Sequence, residues 1–196
     1  GSSPIWGDHV VASDPAVSFH VNGGPVAMPD ADFGMVIEGC GAALQICTAG
    51  NLRTALLCLQ EALARDAFDR ILIATDTPTG SGIMPLGMIY TMTHLSALGG
   101  LPPEQAIAAA TGNNARVYGL TSGFLVEGRD ADIALIDAPL GGSQSTALDA
   151  LANGDPVAVG AVVTAGVPRF VGRSRNTPAT TRAIRLARCD LRQDFT

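Results

Sequence analysis

No two cysteines in this chain stand at CxxC spacing, although four are present (Cys40, Cys47, Cys58 and Cys189). That excludes a zinc knuckle and a thioredoxin-type redox motif. Cys40, Cys47 and Cys58 lie in apolar surroundings and read as small buried hydrophobes of a reducing compartment, so a cytoplasmic location is expected. No run approaches 18 uninterrupted apolar residues, so no membrane span is predicted. Gly1-Ser-Ser-Pro4 has neither a basic region nor an apolar run and does not read as a signal peptide. It also lacks an initiator methionine, and the chain is expected to begin inside something larger. Basic residues are outnumbered, 12 against 18 acidic, for a net charge of −6. Nucleic acid is therefore not an expected partner, and no polybasic membrane patch exists.

Several phosphate and nucleophile motifs are missing too. Gly80-Ser-Gly82-Ile-Met-Pro85 has proline where a dinucleotide fingerprint needs its third glycine, and no Lys-Ser/Thr pair completes a P-loop. No Gly-x-Ser-x-Gly elbow marks a serine hydrolase. Cys40, between two glycines, is the one cysteine placed to act as a nucleophile, but no histidine accompanies it in the pattern.

What the chain does hold is a low charge content, 15%, beside 47% hydrophobic residues, which suits an α/β interior. Its most informative stretch is Arg70-Ile-Leu-Ile-Ala-Thr-Asp76-Thr-Pro-Thr-Gly80. A short apolar run ends in a carboxylate and a Pro/Gly-rich turn, the pattern of a buried parallel strand delivering Asp76 to the carboxyl edge of a sheet. Ligands and metals are held at that edge in α/β folds. Ala16-Val-Ser-Phe-His20 reads as another strand, ending in a histidine, and Phe33–Glu38 as a third, closed by Gly39-Cys-Gly41. Asn51 is a good N-cap for a helix to about residue 65, with Leu52, Ala55, Leu56, Leu59 and Leu63 on one face. Helices are also expected over about 84–98, from Pro102-Pro103 onward, and over Thr111–Tyr118. The first fifteen residues form no predicted element.

From Gly119 the texture changes. Asp130–Asp137, Ala158–Thr164 and Arg169–Val171 read as strands of a small separate sheet, with a Gly/Ser-rich linker at 141–145. A solvated terminal helix is expected from Pro178 to about Arg188. His20, Glu38 and Asp76 stand near predicted strand ends, whereas His9 falls in the opening and His94 on a helix. A neutral imidazole and a carboxylate converging on one edge could hold a divalent ion, with Asp76 taking the proton of an attacking water.

Thr111-Gly-Asn113-Asn-Ala115-Arg116-Val-Tyr118-Gly119-Leu120, followed by Gly123-Phe-Leu-Val-Glu-Gly128-Arg-Asp130-Ala-Asp132-Ile, resembles the C-terminal signature of the amidohydrolase superfamily. Phe19-His20-Val-Asn-Gly-Gly-Pro25, Thr75-Asp76-Thr-Pro-Thr-Gly80, Pro85-Leu-Gly87 and Ser174-Arg-Asn-Thr-Pro178 resemble a branch of it that hydrolyses a cyclic amide. The resemblance implies the C-terminal part of a (β/α)8 TIM-type barrel, from its sixth to eighth strands, over residues 1–118. It further implies part of a small β-sandwich over 119–175 and a tail over 176–196. His20 would be the metal ligand ending the sixth strand. Asp76 would end the eighth as metal ligand and catalytic acid/base. Asn22, Gly23, Thr77, Thr79 and Ser81 would line the substrate loops. The implied cofactor is a divalent metal, zinc or a zinc/iron pair, and the substrate a cyclic amide or related heterocycle. The superfamily's His-x-His pair, bridging lysine and fifth-strand histidine have no counterparts here and would precede Gly1. The stretch between Pro25 and Phe33 also reads as shortened, at the expense of the helix joining the sixth and seventh strands. Three barrel strands leave unpaired edges, so self-association into a homo-oligomer is expected. An inactive truncated homologue, or a small-molecule binding module needing a partner chain, is the alternative.

Overall fold

The computed structural model describes residues 6–23, 28–78 and 82–185. Three parallel strands form its first sheet in the order β1 (Val17–Ser18), β2 (Ala43–Cys47), β3 (Ile71–Ala74). β2 and β3 are buried on both faces, which is why they read as almost continuous apolar runs. Helix α2 (Asp32–Gly39) joins β1 to β2, and α3 (Leu52–Leu63) joins β2 to β3. Each parallel pair is thus spanned by a helical crossover, as parallel pairing demands.

Phe33–Glu38 is therefore helix, not strand. Phe33, Val36 and Ile37 recur at i, i+3 and i+4 and turn one buried face to the core, a spacing that a run of five apolar residues disguises. The strand lies further on, at Ala43–Cys47, where Gln45 interrupts the apolar pattern. Glu38 consequently ends a helix and pairs with Arg65, whose Nε is 2.7 Å from Glu38 Oε1. The connection between β1 and β2 holds an eight-residue helix, where the sequence reading expects most of that helix to be lost.

Asn51 caps α3 as predicted, its Oδ1 accepting from Thr54 N at 2.9 Å. The buried stripe of α3 is Ala55, Cys58, Leu59 and Ala62, rotated away from Leu52, which is 58% exposed. The opening residues do form an element, α1 (Gly7–Ser13). The Asp32 carboxylate accepts from Gly7 N at 2.8 Å, and Val10 is buried in the core, so tertiary contacts stabilise a helix too short to stand alone.

Three helices follow β3: α4 (Gly87–Ala97), α5 (Pro103–Ala110) and α6 (Gly112–Tyr118). The last fastens to β3 through two side chains. Asn113 Nδ2 donates to Phe68 O and Ile71 O, and Asn114 Nδ2 donates to Ile73 O at 3.0 Å. Ala74 O accepts from Thr48 of the β2 side, so alternation along the strand turns Ile71 and Ile73 toward the opposite edge. The two asparagines thus satisfy carbonyls on the side of β3 that β2 does not reach.

The second sheet is antiparallel: β4 (Ile133–Asp137), β5 (Ala158–Thr164), β6 (Val167–Val171), in that order. Between β4 and β5 stands a helix that the Gly/Ser-rich linker did not announce, α7 (Ala147–Asn153). Thr146 caps its start and Gly154 closes it in the left-handed conformation. Ala147, Leu151 and Val157 pack with Ile89, Met92, Ile107 and Ile136 and so join the two parts of the molecule.

Residues 178–185 are not helical as expected. They run as a strap beside β4: Pro139 bridges Thr180, and the Arg182 backbone N–H and side chain all donate to the buried Asp137 carboxylate. The guanidinium beside Asp137 lowers its pKa to about 2, a stronger effect than its burial. A buried carboxylate with one cation partner holds an extended segment there, where amphipathic periodicity is absent. The remainder of the expected tail helix lies outside the described residues.

Candidate functional site

Because β1, β2 and β3 are parallel, the loops after them leave from one edge of the sheet. His20 sits in the turn after β1 with φ +35, and Asp76 two residues beyond β3 with φ +57. Both hold the left-handed conformation that non-glycine residues seldom adopt, so the chain turns sharply at each. β2 lies between their strands, separating the two backbones by roughly two strand spacings, about 10 Å.

His20 is half-buried, and its Nδ1 is buried without a hydrogen-bond partner among the described residues. Gly23 folds back on it: Gly23 N donates to His20 O at 2.7 Å, and a Cβ on Gly23 would meet His20 Nδ1 at 2.9 Å. A glycine is what lets the loop close against the imidazole. Asn22 is fully buried and its amide is committed to backbone, receiving from Cys47 N and donating to Cys47 O and Asn51 O. It ties the loops after β1 and β2 together, and a side chain spent in this way positions the site.

Asp76 is exposed, and Thr77 N donates to Thr75 Oγ1 at 3.3 Å. Thr77 Oγ1 is buried without a partner among the described residues. Thr79 and Ser81 lie outside those residues. The Cys47 thiol at the end of β2 has its pKa raised to about 11, first by burial and second by the negative charge of Asp76. The Asp76 carboxylate is thus felt at the end of the neighbouring strand.

A threonine pair that no spacing announced sits between these groups. Thr48 Oγ1 and Thr91 Oγ1 are 2.6 Å apart, and Thr91 Oγ1 donates to Gly87 O at 3.0 Å. They lock the first turn of α4 to the ends of β2 and β3. Gly87 is needed at this approach, since a Cβ would stand 2.9 Å from Thr75 Cγ2 and 3.0 Å from Thr48 Oγ1.

Other sequence candidates go elsewhere. His94 Nε2 is 3.1 Å from Leu52 O, a contact between helices, and His9 is exposed on α1. Cys40 ends α2 and its thiol donates to Val36 O at 3.3 Å. Among the described residues no three His, Cys, Asp or Glu side chains gather to hold a metal ion. His20 and Asp76 offer two donors of the right chemistry, an imidazole nitrogen without a partner among the described residues and an exposed carboxylate, where a catalytic zinc takes three and a water. They fit a part of a metal site, not a whole one. No helix among the described residues is long and apolar enough to cross a membrane.

Residues 27–173 match the model of the amidohydrolase family. The chain is 33% identical to enamidase of Eubacterium barkeri over 186 residues, 95% of this chain and 48% of that protein. It is also 33% identical over 110 residues to a dihydroorotase of Pelotomaculum thermopropionicum, covering 53% of this chain and 21% of the relative. The crystal structure of enamidase, described as a member of the amidohydrolase superfamily, superposes with a TM-score of 0.89 at 33% identity. That match covers 93% of this chain and 47% of the enamidase chain. The chain spans about half the length of the enamidase it matches. The three-stranded parallel sheet and its helices are accordingly a portion of the TIM-barrel-type fold of that superfamily. The described residues after Gly119 form one antiparallel sheet.

Proposed function

Since the chain belongs to the amidohydrolase family, we propose that it supplies the sixth-to-eighth-strand part of a metal-dependent hydrolase that opens a cyclic amide. The observation that carries this reading is a buried imidazole nitrogen at His20, without a partner among the described residues, and an exposed carboxylate at Asp76, both past the ends of parallel strands. His20 and Asp76 would hold a divalent ion, zinc or a zinc/iron pair, together with donors outside these residues. Such an ion, when bound, polarises a carbonyl and brings the pKa of water toward neutrality. Asp76 accepts a proton as water adds to the amide carbon, then returns it to the nitrogen as the C–N bond breaks. Atoms balance as one water consumed and one ring-opened product formed, which carries a carboxylate at one end and a protonated amine at the other. The antiparallel sheet after Gly119 is, in this reading, one layer of a small β-sandwich, and the loop residues Gly23 and Thr77 border the substrate.

Metal content tests it. The longest reading frame containing these residues is expected to purify with divalent metal and to hydrolyse δ-valerolactam. His20→Ala should lose metal, and Asp76→Asn should lose turnover by at least about a hundredfold. Full activity in Asp76→Asn would sink the proposal.

A second reading is favoured by the count of two donors among the described residues. In it the chain is a non-catalytic copy, or a small-molecule binding module, that acts beside a partner chain. Zinc titration of the 196 residues alone separates the two, because tight uptake of two equivalents by the monomer contradicts this alternative.

A further inference from the structure

Asp76 is exposed, so burial of its side chain cannot place the carboxylate, and the backbone turn must do so. That turn is strained. Asp76 has φ +57, a left-handed conformation that a non-glycine residue keeps only where its neighbours fix it. The residue before it supplies the hold. Thr75 Oγ1 accepts from Thr77 N at 3.3 Å and so closes the turn across Asp76. The Thr75 methyl, the other branch of the same side chain, lies against Gly87, where a Cβ would come within 2.9 Å of it. A β-branched side chain is stiff about its first torsion, so seating the methyl also aims the hydroxyl.

Gly87 is fixed in its turn by two hydroxyls. Thr91 Oγ1 has one proton and gives it to Gly87 O at 3.0 Å. Thr48 Oγ1 then donates to Thr91 Oγ1 at 2.6 Å, in preference to Ala74 O at 3.3 Å. Ala74 O is supplied instead by Thr48 N, at 3.0 Å. Thr91 is buried, where a hydrogen bond is electrostatically stronger than in water. The relay thus runs from the end of β2, through the first turn of α4, to the residue that precedes Asp76.

We propose that Thr75 is the positioning residue of Asp76, and that the Thr48–Thr91 pair sets it by fixing Gly87 against its methyl. Thr75 acts through Asp76 and not on the substrate. Without Thr75 Oγ1 the turn opens and the carboxylate leaves the line between water and amide nitrogen, a misplacement that falls on kcat. The use of that carboxylate rests on the proposed hydrolase reading, whereas the turn itself needs neither metal nor turnover.

The test uses the longest reading frame containing these residues, labelled with heavy nitrogen at threonine, and follows amide exchange by NMR in the absence of metal. Thr75→Val keeps both branches and removes the acceptor, so Thr77 N–H should exchange about two- to tenfold faster, the worth of one hydrogen bond. Thr91→Val should raise the same rate, and Thr75→Ser should not. Thr54 N–H, held by Asn51 in α3, should keep the parent rate in every variant. With divalent metal and δ-valerolactam, kcat should fall at least about tenfold in Thr75→Val with KM unchanged, and Thr75→Ser should restore it. An unchanged Thr77 rate in Thr75→Val or in Thr91→Val, or a loss of turnover that Thr75→Ser does not restore, would each overturn the proposal. Acceleration that includes Thr54 would make Thr75 a residue of general stability and overturn it too. The expected exchange rates in a parent that opens no lactam would spare the placement of Asp76 by Thr75 and remove the hydrolase reading.

Discussion

Asn22 clasps the Cys47 peptide with both ends of its amide, Nδ2 donating to Cys47 O at 3.0 Å and Oδ1 accepting from Cys47 N at 2.8 Å. The two residues are not neighbours on a strand. The side chain acts as a short added rung between the loop carrying His20 and the end of β2, and a third contact, to Asn51 O, extends it to the start of α3.

Removing that rung strands the buried Cys47 N–H, while Cys47 O still accepts from Gly50 N and Asn51 O from Ala55 N. Asn22→Ala is expected to cost about 1–3 kcal/mol, the desolvation penalty of one unsatisfied buried group. Urea unfolding followed by circular dichroism measures it. A loss under 1 kcal/mol would mean that water replaces the amide.

The threonine lock makes a similar demand on space. Gly87→Ala puts a methyl against Thr75 and Thr48, and overpacking at such a contact costs about 1–3 kcal/mol. A midpoint shift in the same urea experiment reports it. A neutral outcome would show that α4 can slide away from the strand ends.

How much of this was readable beforehand depends on where each signal resides. β3 and Asp76 were legible because a buried parallel strand and the turn that stops it are both local in sequence. Phe33-Gly-Met-Val-Ile reads as a strand because it satisfies strand and helix patterns alike over five residues, and only burial of Phe33, Val36 and Ile37 together decides for the helix. β2 goes unannounced because Gln45 breaks its apolar run. Thr48 and Thr91 carry no signal in the sequence, and nothing in it announces the clasp of Asn22 on Cys47, although the resemblance places Asn22 in a substrate loop. Their partners come from other strands and helices, and no periodicity records a pairing across a sheet.

Acid should loosen the strap. The folded pKa of Asp137, about 2, lies below its ordinary 3.8, so its pairing with Arg182 contributes fully above about pH 4 and is lost as pH falls toward 2. With Arg182 largely exposed, solvent screening reduces that contribution. Stability measured from pH 5 to pH 2 should fall less steeply in Arg182→Gln than in the parent. Parallel curves would show that the pair adds nothing.

The thiols should sort by burial. In a Cys189→Ser background a thiol reagent at pH 8 is expected to modify the half-exposed Cys40 first. Cys47, raised to about 11, and Cys58, also raised by burial, should wait for unfolding. Peptide mapping after timed quenching follows each site. Early modification of Cys47 would mean that the strand-end loops open in the native state.

Asn113 and Asn114 belong to the run by which the superfamily announces itself in this chain, yet they touch no proposed ligand. They fasten α6 to the carbonyls of the strand that ends near Asp76. That signature is therefore mortar, inherited for as long as the strand is worth holding. A descendant that had shed its chemistry would still carry the family's mark, and kinship read from those residues dates the architecture, not the reaction.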